Sequence, residues 1–138
     1  MLEWARTQKV LHVVDDQISS PTWARTLAEA TAQVIAQGRG EPVDYIKEKA
    51  GLYHLAGGGS CSRYEWAQEI LRYNHKLEEL MLLEIQPAPT SEFPTPARRP
   101  LFSPVNCDHF AATFGLCLPP WKMALRMAME RSGRVRRR

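Results

Sequence analysis

Two segments carry side chains whose type and spacing suit ligand chemistry. The first is Asp15-Asp16-Gln17-Ile18-Ser19-Ser20-Pro21-Thr22, directly after the apolar run Val10-Leu11-His12-Val13-Val14. Carboxylate, amide and hydroxyl groups thus stand just beyond the carboxyl end of a predicted strand, where open α/β sheets bind ligands. The competing reading is a solvated loop. The second is Pro94-Thr95-Pro96-Ala97-Arg98-Arg99-Pro100, a stiff strap offering two arginines. Guanidinium forks suit bidentate contact with a carboxylate or a pyrophosphate, and proline rigidity lowers the cost of holding them in place. Structural ion pairs to Asp or Glu would use the same charges.

Other patterns are weaker. Gly57-x-Gly59-x-x-Ser62 lies where a dinucleotide-binding glycine turn would sit, but serine replaces the third glycine and no persuasive acidic residue follows about 20 residues later. A tight turn of small residues, letting strand and helix approach closely, is the favoured reading; its amides could still face an anion. Tyr45-x-x-x-Lys49 has the spacing of a phenol and an ammonium sharing a helix face. It falls in a polar stretch between Pro42 and Gly51 and reads as a solvated amphipathic turn. Cys107-x-His109 lacks a second ligand pair, while His12 and His54 fall on predicted strands and read as satisfied core histidines.

The elements that must position these groups follow from periodicity and punctuation. Residues 1–8 end a helix with Leu2 and Ala5 inward. Residues 10–14 form a strand that is apolar on both faces, as parallel strands are. Thr26-Leu27-Ala28-Glu29 is a capping box opening a helix that ends at Gly38. The polar residues 39–51 predict a surface connection, Leu52-Tyr53-His54-Leu55-Ala56 a second strand, and Ser62-x-x-Glu65 a second capping box. The alternation of strand and helix predicts a parallel α/β layer, which two strands cannot complete.

Six of the ten prolines fall within residues 87–104, predicting an extended surface strap from Gln86 rather than a helix or central strand. Asn106 can cap a short helix through Phe110 and Phe114, stopped by Gly115. Pro119-Pro120 opens a last helix with Trp121, Leu125 and Met129 on one face.

The length of 138 residues, 44% hydrophobic and 24% charged, suits one globular domain and excludes a disordered tail or a collagen-like chain. No apolar run approaches a membrane span and residues 1–15 lack signal-peptide character, so the expected location is the cytoplasm. Cys61, Cys107 and Cys117 read as reduced, mostly buried thiols. The net charge of +3 is local, because five of the 18 basic residues occupy the last eight positions. Without residues 130–138 the chain carries 13 basic against 14 acidic residues, so a nucleic-acid face is not expected and residues 131–138 read as a fraying tail.

Val13 through Arg25, continuing with Leu27-Ala28-Glu29-Ala30, closely resembles the dTDP-4-dehydrorhamnose reductases of the extended short-chain dehydrogenase/reductase superfamily. Three further blocks agree in order: Gly51 to Leu55 with the glycine turn and Trp66-Ala67; Pro89 through Pro100; and Phe114-Gly115 through Leu118-Pro119 to Trp121. Ser19-Ser20, where many relatives have a glycine, and Cys61 in the turn depart from the pattern.

The resemblance implies a fold class: α/β, the C-terminal portion of a Rossmann-like doubly wound fold plus its small substrate-binding lobe, over residues 1–130. It implies a reductase that uses NADPH or NADH to reduce dTDP-4-dehydro-L-rhamnose, with magnesium possible in the family. The family's glycine fingerprint and Tyr-x-x-x-Lys pair precede the matching region, so Gly57–Gly59 and Tyr45/Lys49 inherit neither role. The chain alone is expected to bind no cofactor and to be inactive. What carries over is the nucleotide-sugar side of the cleft: Asp16, Gln17, Pro21, Thr22, Arg98 and Arg99. The remaining N-terminal half of the fold is the expected partner, a homodimer stays open, and neither membrane nor nucleic acid is expected. A non-catalytic binding or regulatory subunit with the same fold, or a gene fragment, are the alternatives.

Overall fold

The computed structural model describes residues 1–74 and 77–135. Among these residues there are six α-helices, α1 (Leu2–Thr7), α2 (Ala24–Ala36), α3 (Pro42–Glu48), α4 (Arg63–Arg72), α5 (Asp108–Phe114) and α6 (Trp121–Val135), and four short strands, β1 (Val10–Val14), β2 (Ile18–Ser19), β3 (Cys61–Ser62) and β4 (Glu84–Ala88). α6 carries helical backbone into the segment predicted as a fraying tail, of which residues 136–138 lie outside the described residues.

The parallel partner of β1 is β4, in register from Val10 opposite Glu84 to Val14 opposite Ala88. This corrects two expectations. Residues 52–56 form no strand, and the beginning of the strap does, since Gln86 and Pro87 lie inside β4. Proline is tolerated there because the residues of β4 that face β1 alternate with those that do not. The Ala88 carbonyl accepts from Asp15 N–H, so Pro87 directs its missing donor away from β1. The 52–56 chain is instead held through its side chains. Tyr53 stacks on His109, with ring centroids 4.7 Å apart, and donates its hydroxyl to the Lys49 carbonyl.

Two further local predictions fail. Thr26 does not cap α2: the helix already starts at Ala24, and the Thr26 hydroxyl donates back to the Trp23 carbonyl. Residues 39–51 contain α3, a seven-residue helix with Pro42 in its first turn, too short to show an apolar stripe. Its Tyr45 hydroxyl donates to Gln37 Oε1 at 2.7 Å, so Tyr45 docks against the end of α2 rather than sitting on a solvated turn. His12 and His54 are exposed, not core residues. Of the cysteines only Cys61 is buried; Cys107 is half-buried and Cys117 exposed.

The Ser62 capping box stands. Ser62 Oγ accepts from Glu65 N–H, and Glu65 Oε2 accepts from Ser62 N–H. Gly115 ends α5 in the left-handed region at φ 65°. The core is thin and divided. Val34 of α2 meets Phe110 and Phe114 of α5, with Tyr45, Tyr53, Leu55 and Leu116 around them. A second set, Ala67 and Ile70 of α4 with Trp121 and Ala124 of α6, is also buried. No large side chain among the described residues is fully buried.

Candidate functional site

The carboxyl ends of β1 and β4 lie side by side, and the segments leaving them bond at once. Asp15 N–H donates to the Ala88 carbonyl, and one residue further the Thr90 N–H reaches both Asp16 carboxylate oxygens at 3.0 Å. The Thr90 hydroxyl donates to Asp16 Oδ1 and accepts from Gln17 Nε2 at 3.0 Å. Asp16 and Gln17 therefore hold the start of the strap. Hydrogen bonds from Thr90, the hydroxyl before the amide, keep the Asp16 carboxyl below its ordinary value of 3.8.

This shift has a definite sign. The folded value lies below the unfolded one, so the contribution is complete above the unfolded value and is lost as pH falls through the folded value. In an acid titration followed by NMR, the Thr90 amide proton is expected to move with a midpoint below 3.8, the ordinary value of the carboxyl. A midpoint at or above it would mean that this clamp is not made.

Pro21 and Thr22 go to the glycine turn. Thr22 Oγ1 accepts from Gly57 N–H at 3.0 Å and donates to the Ser20 carbonyl, while the Pro21 carbonyl lies against Gly57 with no room for a side chain. Beside this contact lies a cleft of about 390 Å³, bordered by Ser20, Ser60, Asn106 and Asp108 and floored by Gly58 and Leu118.

Arg98 and Arg99 are exposed and make no hydrogen bond or ion pair among the described residues. The structural ion pairs weighed against a ligand role are not formed. The strap is nevertheless fixed at its far end, where Ile18 N–H donates to the Leu101 carbonyl and Ser103 N–H donates to the Ile18 carbonyl. Both ends of the strap are thus tied to residues 16–18, and the two arginines stand two and three residues before Leu101.

The discounted motifs remain structural. Two amides of the glycine turn are spent, Gly57 on Thr22 and Gly58 on the Pro119 carbonyl. Lys49 pairs with Glu48 at 3.0 Å. Burial pushes the Cys61 thiol up to about 11, with the Glu65 charge adding to the shift, so it is a poor nucleophile. Among the described residues no group of three or more His, Cys, Asp or Glu could hold a metal ion, and no helix is long and apolar enough to cross a membrane. The residue that Asp16 and Gln17 bind, and that the sequence did not single out, is Thr90. Recognising Glu84–Ala88 as a strand would have placed it directly after a carboxyl end.

The model of the RmlD substrate binding domain matches residues 1–133. A dTDP-4-dehydrorhamnose reductase of Salmonella typhimurium is 37% identical over 127 residues, which cover 91% of this chain and 41% of that protein. A solved dTDP-4-dehydrorhamnose reductase from Clostridium acetobutylicum superimposes with a TM-score of 0.78 at 28% identity, covering 96% of this chain and 42% of that one. A second, from Bacillus anthracis in complex with NADP, gives 0.73 at 25% identity, with 91% and 40% covered. This chain therefore spans about two-fifths of the length of these relatives.

Proposed function

We propose that this chain, which belongs to the RmlD substrate binding domain family, supplies the nucleotide-sugar side of the cleft in a dTDP-4-dehydrorhamnose reductase using NADPH or NADH. In that reading residues 1–130 are the substrate lobe. The observation that carries it is the pair of unpaired arginines on a strap tied at both ends beside the carboxyl end of a parallel strand. Each planar fork can donate two parallel hydrogen bonds to the charged non-bridging oxygens of a pyrophosphate. Pro21 and Thr22 are held against Gly57, which itself lines the neighbouring cleft, so their part in this reading is to position the glycine turn.

The residues present do not fit a nicotinamide cofactor. The Gly57 and Gly58 amides are engaged within the chain, and the Tyr45 hydroxyl is bound to Gln37. Nor do the described residues offer a ready magnesium site. Hydride and proton donors are assigned to the other part of a complete reductase, and this chain's work is to bind and orient the substrate.

Calorimetric titration with dTDP tests the reading. Saturable binding is expected, weakened about tenfold or more, some 1.4 kcal/mol, by the Arg98→Ala/Arg99→Ala double substitution. Absence of binding, or binding indifferent to both arginines, would favour a non-catalytic subunit that keeps only the fold.

A further inference from the structure

We infer that Thr90 is a positioning residue: it fixes the entry of the arginine strap, so that Asp16 and Gln17 act on a ligand through Thr90 rather than by touching it. The inference rests on the proposed function only for what the strap holds. Its geometry stands on three hydrogen-bonding groups meeting at one residue.

The N–H and the hydroxyl of Thr90 are both engaged there, while its carbonyl accepts from Phe93 N–H. Its N–H is shared between both Asp16 oxygens, its hydroxyl proton goes to Asp16 Oδ1, and its hydroxyl oxygen accepts from the Gln17 amide. A carboxylate accepting from one residue's amide and hydroxyl together fixes both the backbone position and the χ1 of that residue. Serine could repeat the arrangement and valine, similar in shape, could not.

Residues 91–100 that follow are all exposed, and within them the Thr95 hydroxyl donates to the Ala97 carbonyl. With little burial of its own, this stretch takes its position from its two ends. The far end is main-chain pairing to Ile18, which no side-chain substitution removes. At the near end the main chain is paired to β1 as far as Ala88, and beyond that pairing Thr90 supplies the tie to Asp16 and Gln17. Losing the bonds of the Thr90 hydroxyl makes this tie open more often, so that Arg98 and Arg99 are presented to a ligand in one place less of the time.

Trypsin reads this without any ligand. It cuts after Arg98, whereas the Arg99–Pro100 bond resists it, so one peptide bond reports the strap. In the full chain, Thr90→Val is expected to speed cleavage after Arg98 by about fivefold or more, while cleavage after Arg63 in α4 stays unchanged. Thr90→Ser should restore the native rate, and Asp16→Asn should move it in the same direction as valine. Equal rates in Thr90→Val and the native chain, or an equal rise after Arg63, would overturn the inference. The same variants titrated with dTDP separate the two ideas. A native chain that does not bind dTDP removes the proposed function while the proteolysis result stands, whereas unchanged proteolysis removes the role of Thr90 whatever the chain binds.

Discussion

Phe114→Ala is expected to cost about 3–5 kcal/mol of folding stability, the range for truncating a buried aromatic ring, and so to leave a chain of this size largely unfolded. Phe114 is 8% exposed and lies at the centre of the α2–α5 contact. Its ring centroid is 4.9 Å from that of Phe110 and 5.0 Å from that of Tyr53, and its carbonyl accepts from Gln37 Nε2 at 2.8 Å. Removing the ring leaves a cavity bounded by other rings, which cannot collapse without parting α5 from α2. The second buried set, around Trp121, lies between α4 and α6 and cannot substitute for it. Urea denaturation followed by circular dichroism checks the loss. Val43→Ala, at a position 64% exposed, is the control and should stay within about 0.5 kcal/mol of the native chain. A Phe114→Ala midpoint as close to native as that of the control would mean that this cluster is not the core.

What could be read from the sequence is what neighbouring residues decide. The Ser62–Glu65 capping box, the β1 run, the Gly115 stop and the Pro119-Pro120 opening of α6 each depend on a few adjacent side chains, and each stands in the structure. Thr26 had the same capping pattern and failed, because the helix had already begun at Ala24 and its hydroxyl found the Trp23 carbonyl. The α/β class was legible, but the partner of β1 was not. Glu84–Ala88 contains a proline and lies more than 70 residues away, and the more apolar 52–56 run was the better local candidate for a strand. The site divided in the same way. Asp16, Gln17 and Thr22 are visible as polar groups after a strand, yet their partners Thr90 and Gly57 lie 74 and 35 residues from Asp16 and Thr22. Periodicity carries no information at that range. Only the fold shows that Asp16 holds a loop while Arg98 and Arg99 remain unpaired.

Gly57→Ala is expected to be the most damaging small substitution near the candidate site, at about 2–4 kcal/mol. The residue does not sit at positive φ, so its need for glycine is one of space rather than of conformation. A Cβ at Gly57 would overlap the Pro21 carbonyl oxygen, with the Pro119 carbonyl 3.7 Å away on another side. The groups in the way are backbone, held by the Thr22–Gly57 hydrogen bond on one side and the Gly58–Pro119 bond on the other, so no side chain can rotate aside. Relief requires the Pro21–Thr22 segment to move, which breaks the 3.0 Å bond from Gly57 N–H to Thr22 Oγ1 and shifts the loop that joins β2 to α2. Stability and ligand binding should therefore fall together. Gly58→Ala is the matched control: its Cβ would meet Pro120 Cα at 3.4 Å, close to ordinary contact, and its φ is likewise not positive. Thermal denaturation should rank Gly57→Ala well below Gly58→Ala, and dTDP titration of Gly57→Ala should show binding falling with stability. Equal losses would mean that crowding against Pro21 does not set the position of the loop, and that Thr22 does not position the glycine turn.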